Sequence, residues 1–386
     1  MICEDQKPGV GVQPRGRDEN VTPFTPVSST QNASPAALFP PGRVALIGAG
    51  SFGRFCIEAY RRSDDISVVA VADPLLAGSS PEGYPEIRIQ PDWRTLLEDP
   101  LVEAIHLAAP PAVRAEVALP ALLAGKAVLC EKPLALSLED ADRMVRLAAE
   151  TGSALGVNYV MRHHPAFKLL SLLSSSRLFG SPRTISLQNF AQSLTPDHWM
   201  WNTSISGGIF VEHGVHFFDA YGQIVGAPTS VSGTAPSREA VQATVRYTGG
   251  AIGIYYHEFA FQPEIERAHA VVMFDLGRIE IDGWIPERMT GKALAPLAEL
   301  QRYIQHLNLP VRFWQEAGAT HFEVHFADRQ EAYQSAVVDG MRDLITSHRD
   351  PNRAATVSAQ DARDSLALAL AAREATETMT VVKLTS

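Results

Sequence analysis

From residue 43 to about residue 159, apolar runs of strand length alternate with stretches whose apolar positions recur at helical spacing. The runs fall at 44–47, 66–72, 103–109, 126–130 and 154–160. Helical stretches at 52–61, 113–124 and 138–152 lie between them, the last opened by Ser137 as N-cap with Asp140 three residues on. Repeated β–α units of this kind predict a parallel, doubly wound sheet with right-handed crossovers. Past residue 160 the pattern changes. Helical character at 165–174 leads into a strand at 183–191, a second helical stretch runs from Gly207-Gly208 to about Val225, and β-rich runs follow at 229–235, 240–247, 251–261 and 268–281. Several of these alternate apolar with polar or small residues, the mark of a largely antiparallel sheet with one solvated face. Two helices, at 329–347 and 358–374, complete the pattern, and the second has the composition to pack back onto the first domain.

The first strand ends in a chemical signature. Gly48-Ala49-Gly50-Ser51-Phe52-Gly53 writes G-x-G-x-x-G between a β-like run and an amphipathic helix. The first glycine makes the turn, the second admits a pyrophosphate to the backbone, and the third lets helix and strand approach. The second strand ends in Asp73, placed to accept hydrogen bonds from an adenosine ribose. The predicted fold is α/β: an N-terminal Rossmann dinucleotide-binding domain over 42–160, then a C-terminal α+β domain over 161–386 with a large, mostly antiparallel open sheet. Residues 1–41 mix Pro, Gly, Ser, Thr and Gln with few large apolar groups. They are expected to form a disordered extension, because they cannot bury enough surface to offset chain entropy.

Composition narrows the classes. The 386 residues are 46% hydrophobic, ample for two buried cores, and carry a formal charge of −10. That charge argues against a nucleic-acid or anionic-membrane surface. Cys3, Cys56 and Cys130 lie far apart, with neither metal spacing nor a disulfide framework. No apolar stretch reaches the roughly 20 residues a bilayer span needs, and the first residues lack a secretory pattern, so the reduced cytoplasm is the expected compartment.

Two further segments, Gly125-Lys126-Ala127-Val128-Leu129-Cys130-Glu131-Lys132-Pro133 and Gly207-Gly208-Ile209-Phe210-Val211-Glu212-His213-Gly214-Val215-His216-Phe217-Phe218-Asp219, join the glycine turn in a combination that resembles the Gfo/Idh/MocA oxidoreductases. The resemblance runs from about residue 43 to 375. It implies NAD(P)-dependent hydride transfer, commonly on sugars, cyclitols and related alcohols, and a homo-oligomer (dimer or tetramer) built on the open sheet. It places Gly48, Gly50, Ser51, Phe52, Gly53, Asp73, Ala109, Pro110, Glu131 and Lys132 around the cofactor. Lys132, at the carboxyl end of a parallel strand, would polarise the substrate oxygen as hydride leaves; the plainer alternative is a solvated or phosphate-binding lysine.

Glu212, His216 and Asp219, spaced four and three apart, are expected to share one helix face. His216, with an ordinary pKa of about 6.5, suits the acid/base role, and Glu212 would orient it or bind a hydroxyl. The family's usual residue at the Glu212 position is Asp, so carboxylate reach differs here. A core histidine satisfied by a neighbouring acid is the alternative for His216. Arg162 and His163, at the entry to the second domain, either contact substrate or pair and cap within the structure. Trp199 could stack on a sugar face or pack in the core, and His213 is a further pocket candidate. Glu212, His213 and His216 lack the H-E-x-x-H spacing, and no metal is expected. After the strand at 103–109 the family's Thr-Pro-Asn and following histidine are replaced by Ala109-Pro110-Pro111 and Arg114.

Asp73 repels a 2′-phosphate, and residues 74–80 offer no adjacent cation, so NAD is expected over NADP unless Arg88 folds back. The expected reaction is oxidation of a secondary alcohol, or the reverse, on a small polar molecule. The alternatives are a glycoside-cleaving enzyme using NAD transiently, reduction of a C=N bond, and a non-catalytic dinucleotide sensor.

Overall fold

The computed structural model of the protein describes residues 40–76 and 87–384. The expected disordered extension, up to residue 39, lies outside the described residues. The first sheet has six strands: β1 (Gly42–Ile47), β2 (Ile66–Ala72), β3 (Arg88–Gln90), β4 (Ala104–Leu107), β5 (Ala127–Cys130) and β6 (Leu155–Val157). Their order is β3-β2-β1-β4-β5-β6, every pair parallel. The order reverses between β1 and β4, and ligands of such sheets bind in the crevice outside that switch point. Both faces are covered, so β4 and β5 are buried at every position. The helices that cover them are α1 (Ser51–Arg61), α2 (Arg114–Leu123) and α3 (Leu138–Thr151). Ser137 caps α3 by accepting the Asp140 amide, and Gly152 ends it at φ 69°.

After α4 (Pro165–Ser175) comes the first strand of a ten-stranded sheet, β7 (Pro182–Gln192). Helix α5 (Val215–Val225) follows, then β8 (Pro228–Thr234), β9 (Ala240–Tyr247), β10 (Ile252–Phe261), β11 (Arg267–Phe274), β12 (Gly277–Asp282), β13 (Arg288–Ala293), β14 (Val311–Glu316) and β15 (Ala319–His325). A short β16 (Val382–Lys383) completes the order β14-β15-β13-β12-β11-β7-β10-β9-β8-β16, in which only β7 and β10 run parallel. Along β11, Ala268, Ala270, Val272 and Phe274 are buried while the residues between them are not, the period-2 pattern of a sheet packed on one face. Helix α6 (Arg329–Arg349) packs against α1 and β5 of the first sheet. Helix α7 (Ala359–Thr378), opened by a Ser358–Asp361 capping box, packs against β8 and α5 on one side and α3 and β6 on the other.

The apolar pattern did not mark β3, β13, β14 or β15, and two of the runs that it did mark differ in extent. The run at 268–281 is two strands, because Asp275 and Leu276 form a turn: Asp275 accepts the Ser181 amide at 3.1 Å and pairs with Arg183. Apolar character passes through that turn without marking it. The run at 154–160 holds only a three-residue strand. Asn158 still donates its main-chain amide to Cys130 of β5 at 2.8 Å and its side-chain amide to Glu131, but Tyr159 breaks off the strand and Val160–His163 is already helical.

Candidate active site

Every loop expected to meet a dinucleotide leaves the same end of the first sheet. Gly48 adopts φ +96°, and a Cβ there would stand 2.9 Å from the Ala109 amide nitrogen, so the β1 and β4 loops meet at the switch point. A Cβ on Gly53 would collide with the Gly48 carbonyl. A Cβ on Gly50, by contrast, meets nothing within 4 Å. The first-turn amides of α1, those of Ser51, Phe52 and Gly53, have no partners within the helix and face that space, as a phosphate site requires. Asp73 accepts the Ala49 amide at 2.7 Å through one oxygen and the Leu75 amide at 2.8 Å through the other, so it braces the glycine turn from β2. Arg88 pairs with Asp99 at 2.5 Å and does not fold back to Asp73.

This contrast sets a test. Gly53→Ala should cost about 1–3 kcal/mol of stability, because backbone cannot yield to the new methyl. Gly50→Ala should melt like the parent yet bind NAD about tenfold more weakly. Thermal melts and cofactor titrations read the two losses separately.

Lys132 follows β5 and carries a cis bond to Pro133. Its ammonium donates to the Glu212 carboxylate and, at 2.9 Å, to the Glu212 main-chain oxygen. The pair is largely enclosed, at 18% and 13% exposure. Glu212 lies in a π-helical turn, Phe210–Gly214, that runs directly into α5. Such a turn shifts the phase of the helix. Glu212 reaches across to Lys132, and His216 and Asp219, in the regular α-helix that follows, are buried. Gly207, at φ +80°, lets the preceding segment close on the lysine loop, since a Cβ there would press on Val211 and stand 3.2 Å from Leu136.

His216 also departs from the ordinary histidine range. Burial, then the nearby Lys132 ammonium and His213, push its pKa well below 6.5. The ring is thus neutral and ready to accept a proton. Its Nδ1 is enclosed without a partner, which leaves Nε2 as the nitrogen for exchange with a ligand.

The lysine loop is braced from beneath. Glu131 accepts from His106 Nε2 at 3.0 Å and from the Asn158 amide at 2.7 Å, through one oxygen. A carboxylate only accepts, so Nε2 carries the proton, Nδ1 is the acceptor, and Tyr60 donates to it at 2.6 Å. Cys56, His106 and Glu131 form the one trio among the described residues with ligand atoms within 4.8 Å of one another. Two of the three are committed to this hydrogen-bonded chain. Arg114, where the family has a histidine, donates to the Ala109 carbonyl at 3.2 Å and to the Pro133 carbonyl. It staples the β4 loop to the lysine loop.

Of the residues expected at the substrate, some are brought to this group and some are not. His213 accepts the Asn189 amide at 3.1 Å and sits beside Phe217 and His257, its pKa pushed down to about 3 by burial and then Lys132. Trp199 is 43% exposed in a turn beside Thr203–Ser206, which packs on Pro111–Val113. Arg162 is taken by acids: it pairs with Asp219 at 3.2 Å and Asp361 at 3.6 Å. His163 turns away, enclosed against Gly340 of α6. The apolar pattern missed an aromatic wall. Trp284 lies 6.3 Å from His216 and 5.0 Å from Tyr333, which reaches Phe55 at 4.8 Å and Phe52 at 6.0 Å, ring to ring. The Asp282-Gly283 turn just before Trp284 was the available sequence signal.

Among the described residues no helix is long and apolar enough to cross a membrane. Residues 42–159 match the family model described as oxidoreductase family, NAD-binding Rossmann fold, and residues 169–280 match the GFO/IDH/MocA C-terminal domain. The chain is 30% identical over 198 residues to scyllo-inositol 2-dehydrogenase (NAD(+)) of Bacillus subtilis (strain 168), covering 50% of this chain and 56% of that protein. It is 26% identical over 227 residues to myo-inositol 2-dehydrogenase of Thermotoga maritima, covering 55% and 67%. An uncharacterized oxidoreductase of Bacillus subtilis (strain 168), YrbE, is 27% identical over 186 residues, covering 47% and 53%. The chain thus spans about half to two thirds of the length of the curated relatives it matches. A solved levoglucosan dehydrogenase, in complex with NADH and levoglucosan, superimposes with a TM-score of 0.76 at 18% identity, over 90% of this chain and 100% of that one. With a NAD-binding Rossmann domain, a second, mostly antiparallel sheet, and both family models matched in order, the chain belongs to the Gfo/Idh/MocA oxidoreductase family.

Proposed function

We propose that the protein is an NAD-dependent dehydrogenase acting on a secondary alcohol of a sugar, cyclitol or related small polar molecule. The observation that carries this reading is the Lys132–Glu212 contact, which sets the lysine at the β5 end against the helix that carries His216. Relatives named for inositols and levoglucosan support the substrate class. When bound, nicotinamide supplies the hydride acceptor or donor. Gly48, Gly50, Ser51, Phe52 and Gly53 would hold the pyrophosphate, with Asp73, Ala109, Pro110 and Glu131 at its borders.

The chain's own groups then divide the work. Lys132 donates a hydrogen bond to the reacting oxygen and stabilises its alkoxide character. Neutral His216 takes the hydroxyl proton at Nε2, and returns it in the ketone-reducing direction. Glu212 fixes the ammonium and lowers the local charge until substrate arrives. Trp284 offers an apolar face to ring carbons beside His216, and Trp199 and His213 are further candidates for substrate contact. The open face of the ten-stranded sheet, where Ile254 and Met273 are exposed, is proposed as the surface of a homo-oligomer.

NAD is the proposed cofactor over NADP, because Asp73 borders the ribose position and Arg88 is committed to Asp99. NAD should bind at least tenfold tighter than NADP in paired titrations; equal or tighter NADPH binding would refute the choice. The reaction is tested by an NADH-fluorescence screen over sugars, cyclitols, amino sugars and their keto forms. NADH should accumulate with at least one polyol. Binding of NAD without turnover of any of them would favour a dinucleotide sensor.

A further inference from the structure

The protein's hydrogen bonds to the Glu131 carboxylate all fall on one oxygen. Oε1 accepts from His106 Nε2 at 3.0 Å and from the Asn158 amide at 2.7 Å, whereas Oε2 accepts from no group among the described residues. Nor is Oε2 one of the enclosed orphan atoms, and the side chain keeps 8% exposure. Oε1 is turned to the core, so the open oxygen faces the carboxyl end of the sheet, where Lys132 follows directly. Behind Oε1 the donors form a continuous hydrogen-bonded chain. Tyr60 and His106 are fully buried, and Tyr60 donates to His106 Nδ1 at 2.6 Å, which leaves the ring proton on Nε2, pointed at the carboxylate. Tyr60 stands in the last turn of α1, the helix whose first turn faces the phosphate site, so the chain runs from α1 through β4 to the loop after β5. A carboxylate can accept on both oxygens. Two donors on one and none on the other leave the second for a donor from outside the protein.

Resting on the dehydrogenase reading above, which puts Glu131 at the cofactor's border, we propose that Tyr60 and His106 are positioning residues for the cofactor. They hold Glu131 with Oε2 presented to the cleft, as acceptor for a hydroxyl or amide hydrogen of the nicotinamide nucleoside. No proton is transferred along the chain; each bond fixes an orientation. Without the Tyr60 hydroxyl, the imidazole is free to carry its proton on Nδ1 and to turn a bare Nε2 lone pair toward the carboxylate, which repels it. Without His106, Asn158 alone holds Oε1, and the carboxylate can rotate Oε2 away from the cleft. Lys132 does not compete for Oε2, because its ammonium is held by the Glu212 carboxylate and main-chain oxygen.

The double variant Tyr60→Phe/His106→Leu removes both polar groups together and leaves apolar side chains of similar shape in an apolar core, so it should melt near the parent. The test titrates the full chain with NAD and with ADP, which carries the adenosine and pyrophosphate but no nicotinamide nucleoside. In the double variant NAD should bind about tenfold more weakly, with ADP level. Glu131→Gln, which can set an amide donor where Oε2 stood, should show the same split. Tyr60→Phe/His106→Gln, which restores a donor at the Nε2 position, should recover most of the NAD affinity. A Tyr60→Phe/His106→Leu variant that binds NAD as the parent does, or that loses NAD and ADP equally, would overturn the positioning role. Level NAD affinity in Glu131→Gln would overturn the contact itself. These results come from binding alone, so a parent that shows the split but oxidises no polyol would count against the dehydrogenase reading only.

Discussion

Lys132→Ala should lower turnover by on the order of 10²-fold or more, the scale of a lost oxyanion or acid–base group, with NAD affinity nearly unchanged. The split follows from geometry. The ammonium contacts the Glu212 carboxylate and main chain, at the junction with the second lobe, while the pyrophosphate contacts reside in the glycine turn. The variant also strands a largely enclosed carboxylate, which weakens the fold apart from any chemistry. Lys132→Ala combined with Glu212→Gln removes that charge. If the double variant melts near the parent and turnover is still lost, the ammonium itself is required. Near-normal turnover in either variant, read by NADH fluorescence at saturating substrate, would remove Lys132 from the mechanism.

His216→Ala should lower kcat/KM for alcohol oxidation by about 10²–10⁴-fold and erase one limb of its pH profile. The sign follows from the direction of the shift. Below its pKa in the folded protein His216 is charged and cannot accept a proton, so oxidation fails on the acid side. Because burial and Lys132 push that pKa well below 6.5, the parent should remain active at pH values where an ordinary histidine would already be protonated. Ketone reduction needs the protonated ring and should decline as pH rises, starting from the same low value. A pH series of kcat/KM in both directions checks this. The same acid limb surviving in His216→Ala would assign it to another group.

Much of this architecture was written in periodicity. The alternation of apolar runs and helical stretches up to residue 159 foretells five of the six parallel strands, β4, β5 and β6 being buried throughout and reading as continuous apolar runs, whereas the edge strand β3, Arg88–Gln90, has no fully buried residue and was not in the pattern. The glycine turn was legible because its three glycines answer three steric demands, two of which appear as collisions a Cβ would suffer at Gly48 and Gly53. What stayed hidden depends on contacts between distant segments. The turn at Asp275–Leu276 is held by Ser181 and Arg183, about 90 residues away in sequence, and its local signals, Asp275 and Gly277, sit inside an otherwise apolar run. Helical spacing alone put Glu212 and His216 on one face. The π-helical turn that carries Glu212 into α5 was not read, and no residue in Phe210–Gly214 announces it. Arg162 could be read toward substrate or toward an acid, and only the fold shows Asp219 and Asp361 beside it. His106 lies in an apolar strand, where nothing local reveals that Tyr60 and Glu131 bracket it.

The position of the reacting oxygen in a ternary complex tests the central claim most directly. A crystal structure with NADH and a polyol found in the fluorescence screen should place one substrate oxygen within hydrogen-bonding reach, about 2.6–3.2 Å, of both Lys132 Nζ and His216 Nε2. The carbon bearing that oxygen should face the nicotinamide. A substrate oxygen that meets neither group, or a polyol seated away from the cleft between them, would contradict the assignment.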